Sequence, residues 1–332
     1  MDPFSQGLLG ASLAASLAKK QNIKVSALAG GVGGISPDLD IFIRSNTDPL
    51  LFIEYHRHFT HSLAFVPFGG LIVSSFLFFF LKKHISFGSL YFYSTVGFFT
   101  HGLLDACTSY GTTLFWPFSD KRVSWNIISV VDPIFTLILL VFLTFCLLKK
   151  SLIQIKFGLF LSSIYLFLGF VKYQMVESFI YDTASQRNHK IQRILLNPTI
   201  GNNILWRSVY QFENNYYIDA VHMTFLGEPK LKKGAIIKVI NQETIFPDLA
   251  RNSIQRNDIR RFSNFSQNFI YLHPDYDDLL ADLRYGTLPH DYKSLWGIKI
   301  NKSNNNHVEF KNLRDFENTD YKEFWKMLKG IF

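Results

Sequence analysis

Three short segments of this chain concentrate side chains that can bind a metal ion or move a proton. Ser36-Pro37-Asp38-Leu39-Asp40 supplies two carboxylates. His56-Arg57-His58-Phe59-Thr60-His61-Ser62 supplies three imidazoles and a guanidinium. His101-Gly102-Leu103-Leu104-Asp105 supplies one more imidazole and one more carboxylate. Each segment lies beside or inside an apolar run, where such groups are costly unless paired or bound to a metal. Carboxylate oxygens with imidazole nitrogens suit zinc first, with manganese and iron as alternatives, and the number of candidates allows one ion or two. A site of this kind generates hydroxide from water and polarises a phosphoryl or carbonyl oxygen.

The spacing assigns roles. His101 and Asp105 stand at i and i+4, on one face of a helix and within reach of one ion; the alternative is a His–Asp hydrogen bond in helix packing. Asp38 and Asp40 share a face in an extended segment but point nearly opposite ways on a regular helix. Ser36 and Pro37 also read as an N-cap and first helical position, which would make Asp38 a first-turn acid. His56, His58 and His61 form the densest cluster of the commonest metal ligand. Arg57 sits among them, and a cation beside a metal calls for an anion, which a substrate phosphate would supply; an interfacial anchor or a pair with Glu54 are its other readings. The expected ligands are His56, His61, His101 and Asp105, with Asp38 or Asp40 as a further ligand or base. Asp132, before Pro133, reads first as a helix cap.

These groups need elements to hold them. Four stretches, about 62–81, 88–108, 129–148 and 155–173, reach the roughly 20 apolar residues that cross a bilayer. Two shorter ones, about 4–18 and 25–36, precede them, the second carrying Gly30, Gly31, Gly33 and Gly34, which permit close helix packing. Residues 1–184 therefore read as an α-helical membrane domain of four to six apolar helices, holding only 10 of the 26 acids and 13 of the 34 Lys and Arg. Residues 185–332 read as a soluble, β-rich α+β domain. Its segments 216–223, 235–240 and 295–300 have strand character, and residues 315–332 suit a closing helix. The net charge of +8 does not point to nucleic acid, because no basic run interleaved with aromatics accompanies it. Cys107 and Cys146 have neither metal-site nor disulfide spacing. Met1-Asp2-Pro3-Phe4 lacks a basic signal-peptide region, so the N-terminus is expected to be retained.

The motifs resemble the YdjM family of membrane-bound, metal-dependent hydrolases. The resemblance runs over about residues 1–220. It rests on Met1-Asp2-Pro3 with Gln6-Gly7-Leu8-Leu9-Gly10-Ala11, Pro37-Asp38-Leu39-Asp40, His56-Arg57 with Thr60-His61-Ser62, and His101 with Asp105, Gly111 and Pro117-Phe118-Ser119. Asp132-Pro133, Asn197-Pro198 and Leu205-Trp206-Arg207 complete it. The family is grouped with helical zinc phospholipase C and P1-nuclease-like proteins, which implies phosphoester chemistry on a lipid-linked or phosphate-bearing substrate. Many members carry Thr-His where this chain has Ser5-Gln6, and His58 falls on a variable position, below His56 and His61. Two other readings stand beside the hydrolase: a transporter, because polar groups in membrane segments also mark ion pathways, and a metal-stabilised scaffold that binds another protein.

Lys19, Lys20 and Lys24, then Lys82, Lys83 and His84, then Lys149, Lys150 and Lys156 lie in alternate loops. The positive-inside rule puts these loops in the cytoplasm of a multi-pass inner-membrane protein, and the metal site and C-terminal domain on the periplasmic or external side. Cysteine labelling of intact cells from outside is expected to modify Ser303→Cys and to spare Ser151→Cys; the opposite pattern reverses the orientation.

Overall fold

The computed structural model describes residues 1–302 and 306–332, so Ser303 lies outside the described residues. The chain divides into two compact units. One is Met1–Ile43 with Tyr55–Val171 and Ile200–Asn202; the other is Arg44–Glu54 with Lys172–Thr199 and Asn203–Phe332.

The first unit is helical. Helix α1 (Pro3–Ser16) starts on Asp2, whose carboxylate accepts from the Ser5 amide, with Pro3 in the first turn. Helix α2 (Ile23–Ile35) runs into a 3-10 helix, Ser36–Phe42, that carries both aspartates. A short helix α3 (Leu51–Tyr55) precedes the 3-10 turn Phe59–His61. Then come α4 (Val66–Leu81), α5 (Phe87–Ala106), α6 (Pro133–Lys149) and α7 (Leu152–Gln186), whose last turns belong to the second unit. Asp132 caps α6, accepting from the Ile134 and Phe135 amides, and also accepts from the Tyr165 hydroxyl.

Helices α1, α2 and α5 pack backbone to backbone. A Cβ added at Gly97 would lie 2.0 Å from the Gly30 carbonyl oxygen, and one at Gly30 would lie 2.4 Å from that of Gly10. Helix α4 is inverted relative to a helix in water. Gly69, Gly70, Val73, Ser74 and Leu77 face inward, while Phe68, Leu71, Ile72, Phe76, Phe79 and Phe80 are exposed on the protein's own surface. Small residues inside and large apolar ones outside suit a helix solvated by lipid.

Among the described residues, two helical stretches are long and apolar enough to cross a bilayer, Leu63–Leu81 and Leu152–Gln186. Composition alone suggests four to six, and the difference has a physical cause. Thr100, His101 and Asp105 interrupt the apolar character of α5, α6 has 17 residues, and α1 and α2 have 14 and 13.

The second unit contains two four-stranded antiparallel sheets, each with its strands in chain order. The first comprises β1 (Arg193–Pro198), β2 (Leu205–Phe212), β3 (Asn215–His222) and β4 (Lys230–Lys238). The second comprises β5 (Ile270–Leu272), β6 (Leu279–Asp282), β7 (Trp296–Lys299) and β8 (Glu309–Asn312). Helix α8 (Ile254–Phe265) lies between the two sheets in sequence, and α9 (Asn318–Leu328) closes the chain. The strand-like segments read from sequence fall on β3, β4 and β7. Val176, Ile180 and Ala184 of α7 share a core with Leu196, Trp206, Tyr210 and Val221. The segment Arg44–Glu54 is held within this unit by Arg261, which donates to Asp48 and Glu54.

The glycine contacts make a direct test. Gly97→Leu forces a side chain into the backbone of α2, and overpacking of this kind costs roughly 1–3 kcal/mol or more. The midpoint of thermal unfolding in detergent is expected to fall. Gly88→Ala, on the same helix with open space around the added Cβ, is expected to leave it unchanged or slightly higher.

Candidate metal centre

Asp38, His61, His101 and Asp105 converge from three segments, each offering one ligand atom to a common group. Helix α5 sets His101 and Asp105 one turn apart. Gly102 lets the 59–61 turn lie on that helix, because a Cβ there would be 2.2 Å from the His61 carbonyl oxygen. Tertiary packing thus brings two imidazoles nitrogen to nitrogen: His61 Nε2 lies 2.8 Å from His101 Nε2. Asp38 Oδ1 lies 3.5 and 3.4 Å from these two nitrogens, and Asp105 Oδ2 3.2 and 3.5 Å from them. A tetrahedral ion with bonds of about 2.0–2.2 Å requires ligand separations of about 3.3–3.6 Å. The four oxygen–nitrogen separations are close to those values, and the nitrogen–nitrogen separation is shorter.

The outer nitrogens agree. His101 Nδ1 donates to the Gly34 carbonyl at 2.6 Å, and His61 Nδ1 faces Asp40 Oδ2 at 3.2 Å. With both Nδ1 protons directed outward, both Nε2 lone pairs face the centre, the tautomer that metal-binding histidines adopt. Two lone pairs and two carboxylates around one point make a largely buried cluster that favours a cation at its centre, beside Arg57 and the Met1 amino group on Asp105. Asp105 Oδ2 is fully buried and makes no hydrogen bond; its neighbours there are the two imidazoles and Arg57 Nε, at 3.1 Å. The residues therefore fit a metal ion.

With no metal bound, a proton serves instead. Burial works against a charge on His61, and its contacts with Asp105, Asp38 and Asp40 outweigh that and raise the imidazole to about 10. Burial also works against charge on Asp38 and Asp40. The imidazoles of His101 and His61 hold Asp38 well below the usual carboxylate range, and those of His56 and His61 do the same for Asp40.

The 3-10 helix separates the two aspartates. With three residues per turn they neither share a face nor oppose each other. Asp38 joins the four-atom group, while Asp40 serves the backs of the histidines. Asp40 accepts from His56 Nδ1 at 2.8 Å, Thr60 Oγ1 at 2.7 Å and the Arg57 amide at 3.0 Å. Asp38, Asp40 and His56 form a second group that could hold an ion, so Asp38 belongs to both. His56 is outside the first group, and its ring is 21% exposed. His58 belongs to neither group and lies against Trp116 and Tyr55.

Arg57 is 4% exposed. It adopts a left-handed backbone, φ 65°, pairs with Asp105, donates from Nη1 to Thr108 Oγ1 and lies over the Tyr110 ring. Four contributors were not read as part of the site from sequence. Gly34 acts only through its carbonyl. Gln6 Nε2 donates to Asp105 Oδ1 at 2.9 Å, and the Met1 amino group meets the same oxygen. Arg122 Nη2 donates to the His56 carbonyl. Gln6 alone carried a signal, standing where the resembling family often has histidine. In the second unit, Asp48, Asp258 and His307 also cluster, with Arg261 paired to both carboxylates.

The family model that matches this chain is that of the YdjM inner membrane protein, over residues 1–176. The chain belongs to the YdjM inner membrane protein family. The matched region contains the whole metal-binding arrangement. The chain is also 30% identical over 111 residues to Uncharacterized protein YfhP of Bacillus subtilis; the match covers 33% of this chain and 32% of that protein. The chain thus matches about a third of that relative's length. No solved structure matches it.

Metal must displace the His61 proton, so binding is expected to release protons and to tighten with pH, by about tenfold per unit from roughly pH 6.5 to 8. Titration calorimetry in buffers of different ionisation enthalpy measures both. His101→Ala is expected to abolish stoichiometric metal, whereas Asp40→Asn, which touches only the backs of the rings, should weaken it by about 10–100-fold. Equal loss in both variants would make Asp40 a ligand.

Proposed function

We propose that this protein is an integral, multi-pass inner-membrane hydrolase that uses a divalent metal, zinc first, on a phosphoester or lipid-linked phosphate. The observation that carries this reading is the convergence of Asp38, His61, His101 and Asp105 on one point, with the outer ring nitrogens turned to Gly34 and Asp40. When bound, the metal would supply a hydroxide at neutral pH and polarise the phosphoryl oxygen.

The chain's own residues divide the remaining work. Asp40 orients His61 and His56. Arg57 neutralises Asp105 and holds its carboxylate in place. Asp38, whose side chain is 13% exposed, is the ligand at the open edge of a group otherwise buried. Substrate and water would reach the centre on that edge, beside the ring of His56. A second ion, if taken, would share Asp38 with Asp40 and His56. The alternation of basic loops supports a periplasmic location for this edge, where a lipid-linked phosphate would enter from the bilayer.

A second reading is favoured by one observation. Four protein ligands complete a tetrahedron, as in structural sites, whereas catalytic zinc sites keep three and leave a position open. A metal-stabilised scaffold would have this form.

Metal-reconstituted protein screened against phosphomonoesters, phosphodiesters and lipid phosphates decides between them. Turnover that disappears on chelation and returns with metal is expected. Full metal occupancy with no turnover across the screen puts the scaffold first. Arg57→Lys separates the two roles of that residue. As the counter-ion of Asp105 it should lose metal affinity together with activity; as a phosphate clamp it should lose activity with metal retained.

A further inference from the structure

The connection between β3 and β4 carries an apolar tip that is exposed among the described residues. Phe225 is half exposed and Leu226 is exposed along its whole side chain. The tip is a defined turn, with the Gly227 amide donating to Thr224 Oγ1 at 2.9 Å. It is also tied to a fixed point on α7. Lys172 donates from Nζ to the Met223 carbonyl at 3.1 Å, and the same ammonium lies 3.6 Å from the centre of the Phe225 ring.

The place of Lys172 in its helix gives this contact its meaning. Leu152–Val171 is a run of 20 residues in which Lys156 is the sole charge, preceded by Lys149 and Lys150. At about 1.5 Å per residue it spans about 30 Å, the thickness of a bilayer's hydrocarbon core. Lys172 is the first charge beyond that run. The first charge beyond an apolar run of this length marks the boundary between hydrocarbon and water. The Lys172 ammonium is buried under Phe225 and the Met223 carbonyl, so the turn that carries Leu226 lies at the same depth.

We propose that the Phe225–Leu226 tip inserts into the bilayer interface and anchors the C-terminal unit to the membrane surface. The partner is lipid, at the boundary of headgroups and acyl chains. The continuity of this turn with the end of an apolar span distinguishes it from an exposed loop in water. No strong intrinsic affinity is needed, because the turn is already tethered beside the helix and insertion is an intramolecular event. Glu228, Pro229 and Lys230 follow at once and are exposed, which confines insertion to the tip.

This inference rests on the reading that α7 crosses the membrane, and the test separates the two. Single cysteines are introduced at Leu226, at Phe160 on the exposed face of α7, and at Lys238 at the end of β4. Each full-length protein is labelled with an environment-sensitive fluorophore and reconstituted into phosphatidylethanolamine–phosphatidylglycerol vesicles. The native Cys107 and Cys146 are buried, and the unsubstituted protein gives the labelling background. The label at Leu226 is expected to be blue-shifted relative to that at Lys238, and to lose fluorescence to lipids brominated high on the acyl chain. The label at Phe160 should lose it to bromines deep in the chain. Quenching of Leu226 by aqueous iodide and by no brominated lipid, with Phe160 still quenched from lipid, overturns the anchor and leaves the spanning helix standing. Shielding of Leu226 from both quenchers overturns lipid as the partner in favour of a protein. If Phe160 is quenched from water, α7 does not span and the inference falls with it.

Discussion

The approach of His61 Nε2 to His101 Nε2, 2.8 Å apart between two carboxylates, is the constraint on which the helical unit depends. Two nitrogen lone pairs repel at that distance unless a cation lies between or beside them. In a buried site that repulsion is weakly screened. A proton on His61 relieves it in part, and a divalent ion relieves it fully while also neutralising Asp38 and Asp105. Several neighbouring features serve to keep the two rings in that position. The Gly34 carbonyl fixes one ring and Asp40 the other. Gly102 removes the side chain that would push the histidine turn away from α5.

The same logic explains the backbone at Arg57. A left-handed arginine is unfavourable by about 1–3 kcal/mol and persists only where its surroundings over-determine it. Here its amide donates to Asp40 and its carbonyl accepts from the Thr113 amide, while its side chain pairs with Asp105. One residue therefore links the carboxylate behind the histidines to a carboxylate in front of them. In apolar surroundings such links are strong because water does not compete for the donors.

Much of this was legible in the sequence, and the parts that were not have identifiable causes. The i, i+4 spacing of His101 and Asp105 encodes their meeting on one face of α5 directly, whether as joint ligands or as a hydrogen-bonded pair. The division of labour between Asp38 and Asp40 is not encoded in this way. It depends on a 3-10 helix, and the sequence there is equally consistent with an extended segment or an α-helix. Backbone groups such as the Gly34 carbonyl leave no trace in residue type. Of the four to six apolar helices read from composition, two are long and apolar enough to cross a bilayer among the described residues, and in α5 polar residues of the site lower the hydropathy. The segment Arg44–Glu54 joins the second unit through ion pairs to Arg261, 207 residues from Glu54, a distance at which local pattern carries no information. Three strands of that unit, β3, β4 and β7, were visible because β-branched and aromatic character is local, while β1, β2, β5, β6 and β8 were not read.

The ligand count leads to the last step. Four protein ligands saturate a tetrahedral zinc ion, so hydrolysis at such a centre requires a fifth position or the release of a ligand. Three of the four are ill-suited to release. His61, His101 and Asp105 have fully buried side chains, each held from behind by a carboxylate, a carbonyl or a guanidinium. Asp38 differs on both counts: its side chain is partly exposed, and it belongs to the second group with Asp40 and His56. A carboxylate can swing from one oxygen to the other, or from one ion to a neighbour, without unfolding the helix that carries it. An imidazole locked at Nδ1 cannot. If the centre holds a metal and is catalytic, Asp38 would be the ligand able to yield a position, and the buried trio would hold the ion.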